Sequence, residues 1–137
     1  MRLVKIVLLV FLVIASSSAR AEWVKYPSAS KFVQYSYEVL SGNKKSQYFK
    51  IKLLSNYSKS QEVTIKNQSI AFLSRVDYET VNCSGKSKQV QITAFELFED
   101  ADAKGWSYKG SPKKIQWDKV AKKSTLDSLL TDICSGG

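Results

Sequence analysis

Residues Tyr48–Leu54 read YFKIKLL. Phe49, Ile51 and Leu53 alternate with Lys50 and Lys52, a period of two that sets an apolar row on one side of an extended strand and ammonium groups on the other. Such a strand belongs to an antiparallel sheet with one packed face and one wet face. Upstream, Phe32–Val39 (FVQYSYEV) is rich in β-favouring residues and runs into the turn-prone Ser41–Lys45 (SGNKK). Downstream, Asn56–Asn67 is polar and reads as a connecting loop, followed by a strand over Ser69–Val81 and another over Gln89–Phe98. An acidic, small-residue turn spans Glu99–Gly105, and Trp106–Lys109 returns as a short strand. Short connections between strands require antiparallel neighbours, because parallel ones need crossovers of about a dozen residues or more.

The period then changes. Leu126, Leu129, Leu130 and Ile133 fall at i, i+3, i+4 and i+7, one stripe of a helix. Ser124 with Asp127 three residues on predicts its N-terminus, as a capping box with Asp in place of Glu or Gln. The expected fold is α+β: an antiparallel sheet of about five or six strands with one C-terminal helix packed on a face.

The chain has 137 residues and a formal charge of +9. Residues 1–21 carry Arg2 and Lys5, then ten apolar residues from Ile6 to Ala15, then small residues ending Ala19-Arg20-Ala21. This is the pattern of a cleaved secretory leader; the apolar run falls short of the roughly 20 residues that a membrane span needs. The expected product is one domain, residues 22–137, exported to the periplasm, the cell surface or the medium, with no integral span. The leader holds three cations and no acid, so the mature chain keeps 18 cations against 12 acids, a net +6. Seventeen of the 18 are lysines and only Arg75 is an arginine. Base reading favours the arginine fork, which together with export argues against a nucleic-acid partner.

Histidine is absent, which excludes imidazole general bases, His-based triads and the commonest transition-metal ligand. Asp100–Gly105 opens like a calcium loop, but its fifth position is Lys104 and its twelfth is Ser111 where a bidentate Glu is required. Glu79, Glu96 and Glu99 are the acids available for paired-carboxylate chemistry, with nothing to fix their separation. No enzyme activity, metal or cofactor is expected. Cys83 and Cys134 are spaced far from a C-x-x-C motif. In an exported chain a structural disulfide is the expectation, two free thiols the alternative. The candidate binding residues are the lysines of the stretch Lys109–Lys123, namely Lys109, Lys113, Lys114, Lys119, Lys122 and Lys123, with Trp106 and Tyr108 at its edge. They point to an acidic protein or an envelope polyanion, against the plainer alternative of a solvated connector.

The order of features is specific. Trp23 near the mature N-terminus is followed by the Tyr-rich strand, by YFKIKLLSNY, and by Ser69 leading a strand into Cys83. Gly105-Trp106, Trp117 before Ser124, and Leu129-Leu130 three residues short of Cys134 complete the pattern. The chain resembles the bacterial surface-adhesin protein E family over nearly all of residues 23–134. The resemblance implies a curved sheet with the helix tied to its concave side by Cys83 and Cys134. It also implies adhesion to host matrix and serum proteins such as vitronectin and laminin. A homodimer is a further candidate partner, independent of the resemblance. Two departures stand out: YFKIKLL carries lysines and Phe where many members have Trp, and the leader lacks a lipidation cysteine. The second makes a soluble periplasmic protein of structural or housekeeping role the alternative function. Carriage of a small ligand in the hollow of the sheet is a third.

Overall fold

The computed structural model describes residues 22–43, 45–85 and 87–136; the leader expected over residues 1–21 lies outside the described residues. Seven strands form one antiparallel sheet: β1 (Val24–Tyr26), β2 (Val33–Ser41), β3 (Tyr48–Ile65), β4 (Gln68–Asn82), β5 (Gln89–Asp100), β6 (Lys104–Gly110) and β7 (Asp118–Lys119). They lie in chain order from β1 to β6. β7 pairs with the start of β5, beside Gln89 and Val90, where β6 no longer does. Among the described residues there is one helix, α1 (Thr125–Cys134), which follows the strands. It is ten residues long, so the described part is mostly sheet and α+β fits it only loosely.

The expected loop over Asn56–Asn67 is strand. β3 runs through it to Ile65 and pairs with β4 from Gln61↔Phe72 to Ile65↔Gln68. Lys66 and Asn67 close this hairpin with φ of 50° and 62°, the two positive values that a tight I′-type turn requires. The register shifts between Asn56 and Gln61, where β3 carries more residues than β4, and a bulge of this sort bends and twists a sheet. The two strands missed from the sequence, β1 and β7, are only three and two residues long.

The bend divides the core. Before it, Phe49, Ile51, Leu53, Val81 and Val90 pack with Val120 and with Leu129, Leu130 and Ile133 of α1. Beyond it, Ile70, Phe72 and Leu97 form a second cluster with Tyr57, Val63, Ile65, Phe95 and Tyr108. The alternation read in YFKIKLL therefore places the helix: Phe49, Ile51 and Leu53 face it, while Lys50 and Lys52 face away. Lys52 pairs there with Glu38 at 3.2 Å and sits 5.1 Å above the Trp23 ring. On that outer face the β5–β6 turn folds back over the middle of the sheet. Asn56 Nδ2 donates to Asp102 Oδ1 (2.9 Å), the Asp102 N–H donates to Asn56 Oδ1 (2.8 Å), and Ser74 Oγ donates to the Asp100 carbonyl (2.5 Å).

Ser124 caps α1: its Oγ accepts from the Asp127 N–H at 3.1 Å. The reciprocal half of the box is displaced by one residue, since Asp127 Oδ2 accepts from the N–H of Lys123. Cys134 is bonded to Cys83 just past the end of β4, with Cα atoms 5.7 Å apart. The bridge closes a separation of 51 residues, for which chain entropy assigns a stabilisation of about 4 kcal/mol. Cys134→Ser is expected to lower the unfolding free energy by about 2–5 kcal/mol in urea titrations under oxidising conditions. An unchanged midpoint would show that α1 stays docked without the bridge.

Candidate functional site

Two adjoining hollows flank Phe95 on the helix side of the sheet, and no residue of α1 lines either of them. The tip of the β3–β4 hairpin (Val63–Lys66), the end of β6 (Tyr108–Gly110) and the connector that follows (Ser111–Lys113) enclose a hollow of about 630 Å³. Val63, Ile65, Phe95 and Tyr108, all half-buried members of the second core cluster, supply its apolar wall. A smaller hollow of about 220 Å³ has Arg75, Ile92, Lys114, Gln116 and Asp118 in its lining. Phe95 and Pro112 line both, so the two adjoin. Gly110 stands opposite Phe95 in the ladder, and a Cβ there would lie 2.7 Å from the Phe95 ring; only glycine lets that ring settle against β6.

The lysine-rich stretch is not one patch. Lys113 and Lys114 reach the paired hollows, where Lys66 and Arg75 join them. Lys109 borders the larger hollow from the sheet edge, but its ammonium turns to the outer face, 3.9 Å from Glu96 Oε2. Lys119 pairs with Gln89 in the ladder, and Lys122 and Lys123 sit in the exposed turn before α1. Trp106 is exposed and shares a strand face with Tyr108, two residues on. Among the described residues Lys66, Lys113 and Lys114 form no ion pair, and the one carboxylate in the lining is Asp118. The site is therefore cationic over an apolar floor. Lys66, Arg75 and Phe95 were not identified from sequence, because residues far apart in the chain meet only once the hairpin bends.

Arg75 is fixed from two sides. Its Nε donates to Asp77 Oδ1 at 2.7 Å, and its guanidinium lies 4.8 Å from the Phe95 ring centre. Asp77 and Glu79 follow on the same face of β4, opposite Leu53 and Ile51, and are only 7 % and 6 % exposed. Burial pushes the Asp77 carboxyl above its ordinary value even against the favourable charge of Arg75. Glu79 is pushed up to about 8, first by burial and then by the charge of Asp77, with Arg75 opposing. Among the described residues its Oε2 has no hydrogen-bond partner. Tyr35, opposite Ser55, is raised by burial and by the neighbouring Tyr57 and Asp77. Glu96 pairs with Val76 in the ladder and so faces away from Glu79, which rules that pair out as two carboxylates flanking one substrate.

Glu79 binds its proton more tightly folded than unfolded, so its contribution to stability is fully present below the ordinary value of 4.5 and is lost as pH rises toward about 8. Thermal melts of the wild-type chain are expected to fall across that window. Glu79→Gln should level most of the slope and gain on the order of a few kcal/mol at pH 8, since each tenfold change in proton affinity is worth about 1.36 kcal/mol. A slope that survives the substitution would mean that Glu79 is ionised in the folded protein.

The profile of the surface-adhesin protein E family matches residues 23–135, which takes in every strand, the helix and both cysteines. Comparison with curated proteins and comparison with solved structures each returned no significant match. On a match of this extent, the chain belongs to the surface-adhesin protein E family.

Proposed function

We propose that this chain is a non-enzymatic binding module of the bacterial envelope that captures an acidic segment of a host matrix or serum protein in the paired hollows. One observation carries the reading: Lys66, Lys113 and Lys114, which make no ion pair among the described residues, surround an apolar wall of Val63, Ile65, Phe95 and Tyr108. Ammonium groups on long stems are hydrated point charges, suited to long-range attraction rather than planar recognition. The half-buried rings and aliphatic side chains beneath them supply the short-range contact that charge alone does not. Together these favour a fast, salt-sensitive encounter followed by burial of an apolar anchor from the ligand. Family membership supports the adhesive class, and export to where a host protein is reachable is part of the proposal.

Binding of the mature chain to immobilised vitronectin and laminin, measured by surface plasmon resonance, tests this. Affinity is expected to fall at least tenfold as the Debye length shrinks from about 10 Å at 0.1 M salt to about 3 Å at 1 M. The triple reversal Lys66→Glu, Lys113→Glu, Lys114→Glu should lower the association rate by a similar factor without shifting the melting temperature. Affinity indifferent to both salt and the triple reversal would remove the hollows as the docking site. Antibody labelling of intact cells tests display; protein found only after osmotic release of the periplasm would overturn adhesion.

A further inference from the structure

The outer face of the sheet, opposite α1, bears a second surface that the proposed docking site does not use. Tyr48, Lys50 and Lys52 pair with Asn82, Thr80 and Tyr78, while Gln89 and Gln91 stand opposite Asn82 and Thr80, and Lys119 opposite Gln89. Cross-strand partners share a face, so these side chains all project away from the helix. Over them the rings of Tyr48 and Trp117 meet, their centroids 6.0 Å apart and their planes tilted by 40°. β4 and β5 lie between β3 and β7, so the two rings reach toward each other across the sheet rather than standing off it. Gln47 Nε2 donates to Tyr48 Oη at 3.2 Å and steadies one of them.

Both rings remain open to solvent, Tyr48 at 50 % and Trp117 at 39 %. Exposed Lys50 and Lys119 flank them, and among the described residues neither makes an ion pair. We infer that this face binds an anionic polysaccharide, with sugar rings laid on Tyr48 and Trp117 and uronate carboxylates paired to Lys50 and Lys119. The C–H face of a sugar ring carries slight positive charge and matches the negative face of an aromatic ring. The side-chain amides of Gln89 and Gln91 suit the hydroxyls of the chain. An acidic peptide fits less well. β3 and β4 are interior strands whose backbone groups are paired there, and the edge that β7 offers is only two residues long, too short to receive an extended peptide.

Isothermal titration of the mature chain with polygalacturonate, dextran and poly-L-glutamate provides the test. Polygalacturonate is expected to bind at least tenfold more tightly than neutral dextran or poly-L-glutamate. Trp117→Ala should cut that affinity at least tenfold, and the Lys50→Glu, Lys119→Glu pair, being fully on the surface, should do the same with an unchanged melting temperature. The triple reversal at Lys66, Lys113 and Lys114 should leave it within about twofold, which separates this face from the protein-docking hollows. Poly-L-glutamate binding as tightly as polygalacturonate, or polygalacturonate affinity untouched by the Lys50 and Lys119 reversals, would overturn the inference. So would loss of polygalacturonate binding in the triple reversal alone, which would move the sugar to the hollows.

Discussion

A helix of ten residues is about 15 Å long, whereas an extended strand of eighteen residues approaches 60 Å. α1 and β3 have those residue counts, so α1 can dry only part of the surface that β3 and its neighbours expose. Much of the rest of the architecture answers that mismatch. The register shift between Asn56 and Gln61 bends β3, so that the far end of the hairpin packs with Phe95, Leu97 and Tyr108 instead of running on into water. The β5–β6 turn covers part of the outer face through Asn56 and Ser74. The hollows lined by Phe95 are what remains where neither the helix nor the bend closes the surface completely.

This division also explains which features could be read in the sequence. YFKIKLL and the Leu126–Ile133 stripe show clean periods because the helix and the sheet bury each other there, and burial on one side is what creates a period. Asn56–Ile65 has no such pattern. Most of its side chains are in water, and its strand is held by backbone pairing to β4, which composition does not reveal. β1 and β7 are too short to establish a period at all. The lysine stretch was legible as charge, but its division among the hollows, the outer face and the pre-helix turn depends on which way each backbone segment faces. Arg75 and Phe95 meet only because β4 and β5 are neighbours, a fact of topology.

The charges on the helix side of β4 are arranged differently from those on the surface. Arg75 is held between a carboxylate and an aromatic ring, Asp77 is partnered, and Glu79 is buried without a hydrogen bond to its Oε2 from any described residue. A buried carboxyl beside another carboxylate is most comfortable protonated. The sheet thus tolerates an acid near its centre by keeping it neutral, at a cost that depends on the medium. Surface lysines carry no such penalty and leave the net positive charge free to act at a distance.

The disulfide has a mechanical consequence as well. Cys83 and Cys134 bracket β5, β6, the connector, β7 and α1 within one covalent loop. A pull applied between the chain ends must pass through the sulfur bridge and bypass the loop. At about 3.3–3.6 Å per extended residue, a separation of 51 residues withholds roughly 170–180 Å of contour length from stretching. Lys113, Lys114 and Phe95 lie within that shielded loop, while Lys66 and the β3–β4 hairpin lie outside it. Such a pull would first load the strands preceding Cys83 and leave β5, β6 and β7 slack inside their loop.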